Sequence, residues 1–237
     1  MDVQYRADGN KIILLSCPRE SHVLFPSVVE GRAITHIGKG LLQHCKVLHD
    51  VTLPSNLQCI GAYAFRGCIN LEIVDIPDSV VEIGRAAFLG CSSLTCISLP
   101  DNLIEIRTDT FRNCCKLSSV IIPSGVNRIG LRAFKGCENL EYLMIPKSVS
   151  AIDSDTFTGC KNLKTVEIPS SFKKRMETPI SEMWVNAFKK QNPEAVEQNP
   201  ETVEIVEDFF SDLYRKYETP PLWRHLFFDD ATEIHYY

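Results

Sequence analysis

The chain has 237 residues, of which 44% are hydrophobic and 23% are charged, and its formal net charge is −5. This is the composition of a globular protein, and the length is sufficient for a sizeable core. The negative charge argues against binding to a nucleic-acid backbone, which needs a basic surface, and the short apolar runs argue against membrane insertion. The N-terminal sequence shows no apolar segment of a secretory signal.

Residues 1–30 are predicted to form an N-terminal β cap. The apolar segments Val3–Tyr5 and Ile12–Leu15 flank Asp8–Gly9, a dipeptide that favours a hairpin turn. The segment Val23–Pro26 then has the spacing of a degenerate repeat strand, so we expect the cap to lead directly into a repeat array.

A period of 23 residues organises residues 31–169, where we predict six repeats. Five residue types keep a fixed position in the period, which chance does not produce. These are proline from Pro54 to Pro169, phenylalanine from Phe65 to Phe157, cysteine from Cys45 to Cys160, leucine from Leu48 to Leu163 and isoleucine from Ile37 to Ile152.

Each repeat is predicted to contain a short strand. In the segment Leu71–Ile76, alternation places Val74 and Ile76 inside, and Ile73 and Asp75 outside. We expect such strands near residues 48–53, 71–76, 94–99, 117–122, 140–145 and 163–168, stacked as one parallel sheet. A second extended piece follows, and the segment that carries Phe88 and Cys91 is predicted to be a short helical or 3₁₀ turn.

The repeat unit is similar to the BspA-like leucine-rich repeat family, as Ile76–Pro100 and Ile122–Pro146 show almost throughout. This resemblance implies an α/β solenoid, a right-handed leucine-rich repeat stack with a parallel concave β-sheet. It also implies a protein-binding role, because family members with known roles are mostly surface or secreted proteins that bind other proteins.

Residues 170–237 are predicted to form an acidic, mainly helical C-terminal cap. They carry the whole net charge, since residues 1–169 contain 17 basic and 17 acidic side chains and the total is 25 and 30. Helices are expected to begin at Thr178–Pro179 and Asn199–Pro200, and a closing strand is expected at Ala231–Tyr237. The stretch Gln191–Tyr214 has seven acidic residues and no Lys or Arg. We interpret it as a solvated helix face, or alternatively as a docking surface for a basic partner, for which Lys173–Arg175 is a candidate within the molecule.

The ten cysteines are interpreted mainly as buried thiols. One at each repeat would form a column of small apolar residues, although the spacing of adjacent strands leaves a bridge between some of them open. Cys17, Cys59, Cys96 and Cys115 lie outside this column. Many free thiols favour a reducing compartment, so we expect a cytoplasmic protein, with export by a non-classical route as the alternative.

No catalytic, cofactor-binding or metal-binding residues are predicted. The sequence has no phosphate-binding glycine loop, zinc-protease motif, nucleophile elbow or C-x-x-C pair. The nearest arrangement is His49 and Asp50 close to Cys45, but Cys45 has the buried position of the repeat.

The predicted function is that of a non-catalytic module that binds a protein or peptide on the concave sheet. The alternatives are a secreted or surface effector or adhesin that contacts host proteins, and an enzyme whose site lies in the C-terminal segment. Neither partner identity nor oligomeric state follows from the sequence. The predicted contact residues form two outward rows, Asp50, Ile73, Cys96, Ser119, Tyr142 and Thr165, and Thr52, Asp75, Ser98, Ile121, Met144 and Glu167.

Overall fold

A computed structural model describes residues 3–152, 155–163 and 165–167, with only the backbone described for 165–167. In these ranges the chain forms strands and turns and contains no helix. The strands are β1 (Gln4–Asp8), β2 (Lys11–Ser16), β3 (His22–Leu24), β4 (Val28–Val29), β5 (Arg32–Ala33), β6 (His36–Ile37), β7 (Asp50–Thr52), β8 (Cys59–Ile60), β9 (Ile73–Asp75), β10 (Glu82–Ile83), β11 (Cys96–Ser98), β12 (Glu105–Ile106), β13 (Ser119–Ile121), β14 (Arg128–Ile129), β15 (Tyr142–Met144), β16 (Ala151–Ile152) and β17 (Thr165–Glu167).

Each repeat adds one three-residue strand and one two-residue strand to two stacks of parallel strands, which makes the molecule a β-solenoid of about six turns. The three-residue strands form a sheet in the order β13-β11-β9-β7-β3, and β15 pairs with β17. The predicted strands therefore exist at the expected positions, but the expected single sheet is divided between β13 and β15. The outward surface of these strands is called the strand face below.

The two-residue strands form a second stack that begins with the antiparallel β1–β2 hairpin around Gly9. It has the order β1-β2-β6-β8-β10 and is interrupted before a further sheet, β12-β14-β16. Glycine follows β8, β10 and β14, and a Cβ atom on Gly84 would lie 2.4 Å from the backbone nitrogen of Ala62 in the preceding turn. Arg107 occupies the equivalent position after β12. We attribute the interruption to the Cβ atom of Arg107. If the turns were as close here as they are at Gly84, this atom would collide with the backbone of the preceding turn.

The core is a set of continuous columns along the stack, as the period predicts. Phe65, Phe88, Phe111, Phe134 and Phe157 are stacked with ring centroids 5.2–5.7 Å apart and interplanar angles of 3–16°. The first four rings are fully buried, and Leu42 fills the same position one turn earlier. The strand alternation is also confirmed, because Val74 is buried while the side chain of Ile73 is 52% exposed. Each turn thus covers its neighbour's apolar side.

The segment predicted to be a short helical or 3₁₀ turn is instead a run of separate turns. Its bonds are of the i→i−3 type, as from the N–H of Cys91 to the carbonyl of Phe88 at 3.1 Å, and residues with positive φ separate them. Other N–H groups donate to the next repeat, as from Phe88 to the carbonyl of Thr110 at 3.0 Å. These N–H groups are committed to another turn and cannot close a helix. The surface formed by the stacked turns is called the turn face below.

Left-handed backbone recurs at two positions of the turn face. One of them takes a side chain in most repeats, since Tyr63, Ala86, Asp109 and Arg132 have φ angles of 54–61°. A non-glycine residue in this region carries a backbone cost, and the stacking bonds of both neighbouring turns hold it there.

The cysteine ladder consists of Cys45, Cys68, Cys91, Cys114, Cys137 and Cys160, all of which are buried as predicted. The structure adds a polar role, because five of these thiols lie 3.1–3.2 Å from a carbonyl oxygen of the preceding turn. The thiol of Cys91, for example, donates to the carbonyl of Phe65. The ladder is therefore a line of weak hydrogen bonds between turns as well as a column of small side chains.

The helical C-terminal cap and the closing strand that are predicted for residues 170–237 lie outside the described residues. Within the part of the chain that the structure does describe, no helix has the length and apolar character needed to cross a bilayer.

Candidate functional site

The strand face carries the side chains predicted to contact a partner. All residues of the two predicted rows are exposed, apart from Thr165 and Glu167, whose side chains lie outside the described residues. The backbone of β17 pairs in register with β15, so that Thr165 lies opposite Tyr142 and Glu167 opposite Met144.

The parallel register fixes which residues become neighbours. Asp75 lies between Thr52 and Ser98 in one row, and Ser98 is followed by Ile121. In the other row, Asp50 lies opposite Ile73. The first half of the face therefore combines carboxylates and small polar groups with the exposed side chain of Ile73.

The second half of the strand face is more apolar. Ile121 is 82% exposed, Met144 is 55% exposed and Tyr142 is 42% exposed. β13 and β15 pack as neighbours although they do not form a regular ladder, so the three side chains belong to one surface. Full burial of an apolar side chain of this size contributes about 1.5–3 kcal/mol. The patch therefore leaves apolar area of three large side chains in contact with water.

β3 extends both rows by one strand, which the predicted rows did not include. His22 lies opposite Asp50, and Leu24, which is 67% exposed, lies opposite Thr52. The sequence contains a sign of this extension. Val23 and Phe25 are two residues apart, as are the inward residues Val51 and Leu53 of the next three-residue strand.

A polar cluster occupies this first end of the face. The His22 Nδ1 contacts the Asp50 carboxylate, and the His22 and His49 rings stack with centroids 6.3 Å apart. His49 donates from Nδ1 to the carbonyl of Val47 at 2.9 Å. Together with Glu72 and Ile73 these residues line an open depression of about 520 Å³.

The described ranges also contain the kinds of side chain that most often bind metals or act as nucleophiles. No group of three or more His, Cys, Asp or Glu side chains there is arranged to hold a metal ion. Burial raises the pKa of the Cys91, Cys114 and Cys137 thiols well above the ordinary value. Protonated buried thiols are poor nucleophiles, so the cysteine ladder has a structural role.

A 23-residue period, short parallel strands with alternating burial and a phenylalanine column together define a leucine-rich repeat solenoid. The model of the BspA type leucine rich repeat region matches the chain in six copies, over residues 23–141 and 128–215. The chain belongs to this family. The matched range continues beyond Pro169, where the strict period ends.

Solved structures support the same assignment. A leucine rich repeat protein of T. pallidum is 32% identical, with a TM-score of 0.68 over 71% of this chain and 80% of that one. A leucine rich cell surface protein of Faecalibacterium prausnitzii is 27% identical, with a TM-score of 0.56 over 69% of this chain and 52% of that one. A leucine-rich repeat protein of Bacteroides ovatus is 27% identical, with a TM-score of 0.50 over 72% and 41% of the two chains. No curated protein matches the sequence.

Proposed function

We propose that the chain is a non-catalytic interaction module that binds a protein or peptide segment on the strand face. Membership of a leucine-rich repeat family supports this proposal, because these repeats commonly serve in protein interaction. Stacked repeats form one extended surface whose outward side chains vary while the core is kept.

The observation that carries the proposal is the exposed apolar group Ile121, Tyr142 and Met144. Small polar residues and Asp75 lie on the neighbouring strands, so the patch has an apolar centre beside a polar margin. Interface hot spots often have this arrangement, with an aromatic residue near the centre. The carboxylates of Asp50 and Asp75 would favour a basic or hydroxyl-rich ligand segment.

The proposed place of action is the cytoplasm, which the ten cysteines support because many free thiols suit a reducing compartment. A second candidate is an effector or adhesin outside the cell. It is favoured by the F. prausnitzii relative, whose name describes a cell surface protein. Fractionation of the native cells followed by immunodetection of the chain distinguishes the two places.

The binding proposal is tested by affinity purification with a double variant, Tyr142→Ala with Met144→Ala. We expect it to lose partners that the unmodified chain retains, because it truncates two of the three apolar side chains of the patch. The matched control is Ile104→Ala, which truncates a side chain that is 57% exposed outside the predicted rows. Both variants should keep the thermal midpoint of the unmodified chain, since exposed side chains contribute little to stability.

A photo-reactive phenylalanine analogue at Ser119, next to the patch on the strand face, identifies direct contacts. The same analogue at Val81, which is 46% exposed outside the rows, serves as its control. Equal recovery of every partner with the double variant and equal cross-linking from both positions would contradict binding on the strand face.

A further inference from the structure

A cluster of three cations surrounds one tyrosine on the turn face, and it shares no residue with the strand face. The Lys39 Nζ lies 5.9 Å from the centroid of the Tyr63 ring, and the guanidinium carbons of Arg66 and Arg85 lie 5.7 Å and 5.3 Å from it. Lys39 and Arg85 are two periods apart, so they approach the ring from the turns before and after it. These four residues are called the Tyr63 cluster.

The backbone fixes this convergence. Tyr63 has a φ of 61°, at the left-handed position of its turn. Its N–H donates to the carbonyl of Arg85 at 3.0 Å, which ties the ring's turn to the next one. The neighbouring turns therefore bring one cation each to the ring that Arg66 contacts from within the same turn.

The cations of the Tyr63 cluster have no carboxylate partner within the described ranges, unlike several others on the same side of the stack. Arg107 pairs with Glu82 at 2.8 Å and with Glu105 at 2.6 Å. Arg132 pairs with Asp109 at 3.1 Å. An aromatic ring attracts a cation without neutralising it, so the Tyr63 cluster keeps its three positive charges and its N–H donors.

We propose that the Tyr63 cluster binds the acidic stretch Gln191–Tyr214 of the same chain. This stretch has seven carboxylates, at Glu194, Glu197, Glu201, Glu204, Glu207, Asp208 and Asp212, and no Lys or Arg. Guanidinium groups recognise carboxylates through paired, charge-assisted hydrogen bonds. Residues 1–169 are neutral overall and the rest of the chain carries the net charge of −5, so the local positive charge of the Tyr63 cluster is complementary to the charge of the acidic stretch.

The chain is long enough to make this contact. The turn that carries Phe65 is separated from the turn that carries Phe157 by four ring spacings of 5.2–5.7 Å. At about 4.8 Å per turn the distance along the stack is roughly 20 Å. The residues between β17 and Gln191 can span up to roughly 75 Å when extended, at about 3.3 Å per residue. The intervening segment is therefore long enough for the acidic stretch to reach the cluster within one molecule.

The test is zero-length cross-linking of the full chain with a carbodiimide, which joins an amine to a carboxylate in contact with it. We expect the Lys39 amine to form cross-links with the acidic stretch several times more often than Lys116 does. Lys116 is a matched control because it is exposed and has no carboxylate partner in the described residues. The excess should disappear at about 1 M salt, where the screening length is about 3 Å.

A charge-reversal variant, Arg66→Glu with Arg85→Glu, should reduce the Lys39 cross-links to the level of Lys116. A second pair of changes, Glu204→Lys with Glu207→Lys, should restore contact between the two regions in that variant. That contact is read as new cross-links between the introduced lysines and the introduced glutamates. Arg6→Glu with Arg19→Glu changes the net charge equally at exposed positions and should leave the Lys39 cross-links unchanged.

Three outcomes would overturn the proposal. Equal cross-linking of Lys39 and Lys116 in the unmodified chain removes its basis, and this readout does not depend on whether any variant folds. Cross-links found only between heavy and light chains in an isotope-mixed sample assign the contact to a second copy. Cross-links from the acidic stretch to Lys173 or Lys174 instead of Lys39 assign the charge partner to the neighbouring basic run. None of these outcomes bears on binding at the strand face.

Discussion

The interior of the stack and its strand face use the same backbone, yet the period constrains them very differently. In the interior, Phe88, Phe111 and Phe134 are identical residues in contact with one another. On the strand face, the equivalent outward positions hold residues as different as Asp75, Ser98 and Ile121. Each interior residue must fit the turns on both sides of it, whereas an outward residue only has to tolerate water. The interior therefore repeats the same residues along the stack, whereas the outward rows change from one repeat to the next.

The largest expected effect comes from breaking an interior column. Phe111→Ala should lower the free energy of unfolding by about 3–5 kcal/mol, because it opens a cavity between the buried rings of Phe88 and Phe134. Equilibrium denaturation of the purified chain by urea measures the change. A loss below about 1 kcal/mol would contradict a continuous column, since truncation of an isolated, loosely packed side chain costs that little.

A smaller effect is expected where turns approach most closely. Gly84→Ala should cost about 1–3 kcal/mol, because the new Cβ atom meets the backbone of Ala62 and the turns must separate. Gly90→Ala is the matched control: it has a φ of +74° and no atom closer than 3.9 Å, so only backbone strain of about 1–2 kcal/mol applies. Thermal unfolding of both variants measures the difference. The close approach also predicts weaker protection of amide hydrogens around residue 84 in Gly84→Ala alone, and unchanged protection in both variants would contradict it.

The buried thiols of the interior should make the free energy of unfolding depend on pH. Burial raises the pKa of Cys68 to about 12, from an ordinary value of 9.0. Above about pH 9 the unfolded chain releases this proton while the folded chain keeps it, so stability falls as the pH rises towards 12. Each such thiol contributes a slope of at most about 1.4 kcal/mol per pH unit.

The slope is measured by urea unfolding between about pH 8 and about pH 10 for the unmodified chain and for Cys68→Ala. The variant should show a shallower loss of stability with pH, because it lacks one of the titrating groups. Lysine and tyrosine titration is common to both proteins and cancels in the difference. Parallel pH profiles would show that Cys68 is not held protonated by the fold.

The smallest effect on stability is expected on the strand face. Ile121→Ala should change the free energy of unfolding by no more than about 0.5 kcal/mol, because this side chain is 82% exposed. The neighbouring Val120→Ala, which truncates a buried side chain, should cost clearly more. The pair is compared in one urea titration series. An equal loss in both variants would mean that Ile121 is covered by another part of the chain.

The repeat sequence determined much of this protein by itself. The period located the strands, the alternation within Leu71–Ile76 assigned each side chain to the core or the strand face, and the phenylalanine and cysteine positions defined the buried columns. These features were predictable because each repeat meets almost the same neighbour, so one rule applies to every copy.

Features that depend on contacts with the next turn could be seen only in the folded stack. The segment around Phe88 is not helical, because its N–H group donates to the carbonyl of Thr110 in the following repeat. The second stack is interrupted at Arg107, where a side chain stands at a position that glycine occupies in other turns. Local sequence contains neither fact, since a hydrogen bond or a close approach between turns involves residues a full period away.

The two candidate sites also differ in whether the sequence could predict them. The outward rows followed from the period, apart from the extension to His22 and Leu24. The Tyr63 cluster did not, because its cations come from three consecutive turns and meet only at the ring of Tyr63. Their convergence depends on the left-handed backbone of Tyr63 and on the stacking distance between turns. Both are set by hydrogen bonds between repeats, and for this reason they became visible only in three dimensions.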